Sequence, residues 1–138
     1  MSLPKKIKIG YVDLDIIVVP KNSKFSKDNY GEYDSKTNSI RVAEGQRKIE
    51  ELSTLLHEIL HAICWQSSLS SEGGILEKNK LEEVVVNSIA NNLTQVFKEN
   101  PALLSYIKES VNGTKKTRVK AISKNKLILG TVSPLSLI

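Results

Sequence analysis

Two histidines, one helical turn apart, carry the chemistry that can be read from this sequence. His57-Glu58-Ile59-Leu60-His61 is an H-E-x-x-H pattern, and His57 and His61 are the chain's two histidines. Residues four apart stack on one face of an α-helix, with roughly 5–6 Å between Cβ atoms. Imidazoles so placed can reach one Zn²⁺ at about 2.0–2.1 Å. Glu58 lies about 100° further round the helix, poorly placed as a ligand but within reach of a water on the metal. A metal lowers the pKa of such a water, and a neighbouring carboxylate can take its proton. The pattern predicts His57 and His61 as ligands and Glu58 as general base. The competing reading pairs both histidines with carboxylates in an ordinary helix.

A catalytic zinc takes three protein ligands and leaves a position for water. No third histidine exists, and Asp13, Asp15, Asp28 and Asp34 all precede the motif. Of the later glutamates, only Glu82 and Glu83 stand early on a helix that can pack beside the first. Glu82 projects into the middle of that helix's apolar arc, and it also completes a capping box with Asn79. Glu83 sits at the edge of the arc, on one face with Asn87 and Ala90. Asn87, one turn on, can orient a ligand histidine. Glu83 is therefore preferred as third ligand, with Glu82 as the alternative. Cys64 shares the histidine face, but three ligands from consecutive turns of one helix strain a tetrahedron. It reads as a buried small hydrophobe.

The elements that must hold these groups follow from periodicity. Residues 5–19 alternate as strand, with a change of parity at Gly10. Residues 21–29 are polar and read as a loop. Segments 30–34 and 39–43 flank turn formers and predict a hairpin. From 46 to 65, Ile49, Leu52, Leu56, Ile59 and Ile63 make one apolar stripe. Trp65 reads as core at the end of that helix, and 67–74 as a loop. A second helix is expected from the Asn79 cap to Asn100. Its stripe is Val86, Ile89, Ala90, Leu93, Val96 and Phe97. A short third helix follows from Pro101 to Asn112-Gly113. This order predicts an α+β fold, a small and mainly antiparallel sheet packed on the metal-binding helices. Residues 1–112 form the expected domain. Residues 113–138 form a basic extension with β-leaning pieces at 117–122 and 126–132.

The 138 residues carry 20 basic and 15 acidic side chains. Six of the basic ones lie from Gly113 onward with no acid among them, so residues 1–112 carry a net of −1. The tail alone makes the chain basic, and its 115–126 stretch is the one place for nucleic-acid contact. It carries neither stacking aromatics nor a nucleic-acid motif, so a solvated hairpin is the preferred reading. The longest aliphatic run, Ile16-Ile17-Val18-Val19, is far short of a membrane span. With a single cysteine and no signal peptide visible, a cytoplasmic setting is expected.

Three stretches together resemble the small gluzincin metallopeptidases of the ImmA/IrrE type, found on phages and mobile elements. They are Tyr30-Gly31-Glu32-Tyr33 with Asn38-Ser39-Ile40-Arg41-Val42, then Thr54 to Ile63 around the histidines, and Glu83 to Leu93. The family's glutamate helix places Asn, Asp or Glu four residues after its Glu and a small residue seven after. That spacing falls on Glu83, Asn87 and Ala90. Leu60 stands where the family often has Gly, Val86 where Ala is common, and the helix-turn-helix domain often fused to such proteins is missing. The resemblance implies a zincin-like fold, a Zn²⁺ cofactor and proteolysis of an intracellular protein, in this family often a repressor. An inactive zinc-fold module that binds a repressor or nucleic acid is the alternative. In zincins an edge strand above the active helix pairs with substrate, and 39–43 is the expected strand. Tyr30, Tyr33 and Arg41 are candidate oxyanion donors, each equally suited to hairpin packing.

Overall fold

The computed structural model describes residues 1–113. The basic extension and its two β-leaning pieces lie outside them, Gly113 excepted. Two compact units divide between Val96 and Phe97, and the histidines belong to the first.

Gly10 takes φ +58°, a left-handed turn that suits glycine. It folds β1 (Lys6–Ile9) back on β2 (Val12–Val19), pairing Ile7 with Leu14. The polar segment expected as a loop contains a short helix, α1 (Lys24–Asp28), capped by Ser23, whose hydroxyl accepts from the Ser26 N–H. The expected hairpin forms from β3 (Gly31–Asp34) and β4 (Ser39–Ala43). Asp34 Oδ1 closes its turn by accepting from the Lys36 N–H at 2.8 Å.

The sheet order is β1-β2-β4-β3, with β2 and β4 parallel and the other pairs antiparallel. The architecture is α+β with a mixed sheet. β4 lies between two strands, so the substrate-pairing edge expected at 39–43 is not an edge. That edge belongs to β3. Its register and the Ala43 N–H bond to the Tyr30 carbonyl make Tyr30, Glu32 and Asp34 the inward-bonding residues. The N–H and C=O groups of Gly31 and Tyr33 therefore point away from the sheet.

α2 (Lys48–Gln66) lies on one sheet face. Its Leu55 and Ala62 close a core with Leu14, Ile40 and Val42, each large side chain contributing about 1.5–3 kcal/mol of burial. α3 (Asn79–Glu99) meets another side of α2, where Val86 packs with Cys64 and Leu76. Packing on two sides moves the buried line of α2 to Leu55, Glu58, Ala62 and Cys64, and leaves Ile63, expected in the stripe, exposed. On α3 the buried line is Val86, Ala90 and Thr94, while Ile89 and Val96 are exposed. Residues 101–113 are helical too. No described helix is long and apolar enough to cross a membrane.

Candidate metal centre

At the start of the helix that carries the motif, the Glu50 carboxylate accepts from the Arg47 backbone N–H at 3.2 Å and from the Arg47 guanidinium at 2.6 Å. Two turns later the histidine rings meet edge to face, and their Nε2 atoms are 3.0 Å apart. Glu83, from α3, completes a triangle. Its Oε1 is 3.4 Å from His57 Nε2 and its Oε2 is 3.3 Å from His61 Nε2. Donors bound tetrahedrally at about 2.0–2.1 Å lie about 3.3 Å from one another. The two Glu83 contacts run to different oxygens, and with one donor atom taken from each residue the three lie within 4.8 Å of one another, so His57, His61 and Glu83 could hold a metal ion.

Glu82 does something else. Asn79 lies inside the first turn of α3 rather than capping it, and the Glu82 N–H donates to the Lys78 carbonyl. The expected capping box is not made, because the helix starts one residue earlier. The Glu82 carboxylate turns instead to His61, with Oε1 2.9 Å from Nδ1. A proton held on Nδ1 by that carboxylate leaves the Nε2 lone pair free for a metal. Among the described residues, Glu82 is therefore placed behind the ligand set rather than in it. Asn87 donates to Glu83 Oε1 at 2.9 Å and also hydrogen-bonds His57. It ties the carboxylate to the histidine across the two helices.

Glu58 is buried, with 6% of its surface exposed. Burial pushes its pKa up to about 7, against the opposing pull of His61 and a hydrogen bond from the Tyr33 N–H. Gly31 makes this approach of β3 feasible. A Cβ there would fall 2.6 Å from Thr54 Cγ2 and 2.8 Å from Glu58 Oε1. Burial, then the neighbouring His61, lowers the pKa of His57. That favours the neutral ring that metal binding requires.

A cavity of about 480 Å³ opens over the histidines, and one of about 300 Å³ adjoins it toward the start of α2. His57, Glu58 and Gly31 line both. Tyr33 packs on the core and borders the larger cavity. Tyr30 borders the smaller one. Arg41 borders neither, being paired with Glu32 and laid 4.8 Å over the Phe25 ring. Cys64 is buried away from the triangle, its thiol pKa raised by burial. Trp65, expected in the core, is 49% exposed and lines the larger cavity. Gly31 and Trp65 are the site features that spacing did not reveal. The only signal was that Gly31 interrupts a strand pattern, a place where another group approaches closely. No protein-family model, curated protein or solved structure matches the chain.

Proposed function

We propose that this protein is a zinc-dependent endopeptidase of the gluzincin type, similar to the ImmA/IrrE peptidases, acting on an intracellular protein. The observation that carries the reading is the convergence of His57 Nε2 and His61 Nε2, 3.0 Å apart, on the Glu83 carboxylate, whose two oxygens lie 3.4 and 3.3 Å from them. Two imidazoles and one carboxylate suit zinc, and such a three-ligand set leaves a position open. Zinc held there supplies Lewis acidity toward a carbonyl and toward water.

The chain's own groups do the rest. Glu58, tuned to about 7, takes a proton from water near neutral pH and returns it to the leaving amine. Glu82 and Asn87 hold His61 and Glu83 in place. The outward backbone of Gly31 offers a strand edge on which an extended substrate can pair.

The test combines metal analysis with Glu58→Gln. The expected result is one zinc per chain in both proteins, hydrolysis of protein substrate by the wild type, and none by the variant. Hydrolysis that survives Glu58→Gln, or a chain without stoichiometric zinc after reconstitution, would overturn the reading.

A further inference from the structure

The sheet brings two turns to one end. Asp34 pairs with Ser39 and Ser39 with Asp15, so the β3–β4 turn and the β1–β2 turn project from the same end of the sheet. The last residues of α2 reach both. Trp65 borders the cavity over the histidines together with Ser35 of the first turn. Gln66 lies against Gly10 of the second, where a Cβ would fall 3.1 Å from its Oε1.

On the other side of Trp65 a hollow of about 620 Å³ opens, lined by Ile9, Tyr11, Val12, Ile63, Trp65 and Gln66, with no charged side chain among its described residues. Tyr11 stands in a two-residue turn, since Ile9 pairs with Val12, and its ring is fully exposed. Packing of the fold does not account for that ring. Ile63 and Trp65 are also exposed, at 39% and 49%. Aromatic side chains on a tight turn and a helix end bind polypeptide at low cost in conformational entropy. Gln66 adds a buried Nε2 with no hydrogen-bond partner among the described residues, a donor that a main-chain carbonyl seated there would satisfy.

Trp65 lines both spaces, so a chain leaving the cavity at this end passes into the hollow. We infer that the hollow between the β1–β2 turn and the end of α2 anchors the substrate polypeptide by a large apolar side chain outside the cleaved region. From the middle of the histidine pair to Trp65 the helix rises about 9 Å. That is about three extended residues, so the anchored side chain lies about four to six residues from the cut. The identity of the occupant rests on the peptidase reading. The capture of an apolar side chain rests on the hollow itself.

Zinc-loaded Glu58→Gln protein, panned against a displayed random dodecapeptide library, supplies the probes. The expected peptides carry a large apolar side chain whose replacement by Ser weakens binding roughly 10-fold. Adding Tyr11→Ser or Ile63→Ser should weaken the unaltered peptide by a similar factor and leave the Ser-replaced one nearly unaffected, as for groups in contact. Zinc content and circular dichroism should not change. No enrichment, or full affinity in both variants, would overturn the inference. Benzoylphenylalanine in place of Tyr11 identifies the occupant on illumination. An adduct with the peptide supports the inference, and an adduct formed instead with a second copy or with residues 114–138 overturns it. In an otherwise wild-type chain, Tyr11→Ser should raise KM for these peptides about 10-fold at unchanged kcat. A fall in kcat at unchanged KM would overturn the anchoring role. Failure of the wild type to cut any of them counts against the peptidase reading, while binding to Glu58→Gln still decides the hollow.

Discussion

His61 Nδ1 and Glu82 Oε1 are 2.9 Å apart, so the two adjacent glutamates of α3 serve opposite ends of one imidazole. Glu83 faces Nε2 of the same ring. This division of labour is measurable. Glu83→Ala should abolish stoichiometric zinc binding. Glu82→Gln should retain it with affinity reduced about 10–100-fold, read by competition with a chelating dye. The opposite ranking would move the ligand to Glu82.

Glu58 gives the metal-free protein a pH-dependent stability. Its folded pKa is raised from 4.5 to about 7, so the folded state binds more protons than the unfolded one between those values. The contribution of Glu58 is therefore fully present below about pH 4.5 and is lost as pH rises to about 7, a loss on the order of 3 kcal/mol. Glu58→Gln should remove that decline. Urea denaturation of both metal-free proteins at pH 4.5 and pH 8 checks it, with the variant's advantage expected only at pH 8.

Gly31→Ala should cost about 1–3 kcal/mol of stability, because the added methyl meets Thr54 and Glu58 below contact distance. Zinc affinity should stay within a few-fold, since the nearest neighbours of that carbon belong to Thr54 and Glu58 rather than to the three ligands. Hydrolysis should fall steeply as Glu58 is displaced. A variant as stable and active as the wild type would show that β3 moves freely against α2.

Arg41→Ala should leave zinc content and peptide hydrolysis intact. The side chain is committed to Glu32 and the Phe25 ring. Its loss should reduce stability by about 1 kcal/mol or less, as for a partly exposed ion pair. A large fall in kcat at unchanged stability would return Arg41 to the role of oxyanion donor.

The pairing of His57 with His61 was legible in the sequence because it is local, set by one turn of one helix. The preference for Glu83 over Glu82 rests on Asn87 one turn on and on a cap at Asn79 that the helix does not make. The role of Glu82 turned on that same residue, and the expected cap at Asn79 pointed its carboxylate elsewhere. The sequence reads β4 as an edge, whereas its parallel pairing with β2 joins segments separated by α1 and β3, which no local pattern encodes. Trp65 differs from its expected core position because a single apolar stripe implies one buried face, whereas α2 packs on two and ends beside a cleft. α1 is not legible in the sequence because five mostly polar residues carry no usable period.

The Tyr33 amide has a consequence for recognition. It points outward from β3, yet it is already engaged by Glu58. A visiting polypeptide therefore finds fewer vacant rungs on this ladder than the length of the strand suggests. Main-chain pairing alone gives only a weak grip, so a short peptide of arbitrary sequence should dissociate quickly. Productive encounters then depend on side-chain fit, or on a tether elsewhere that keeps the target nearby.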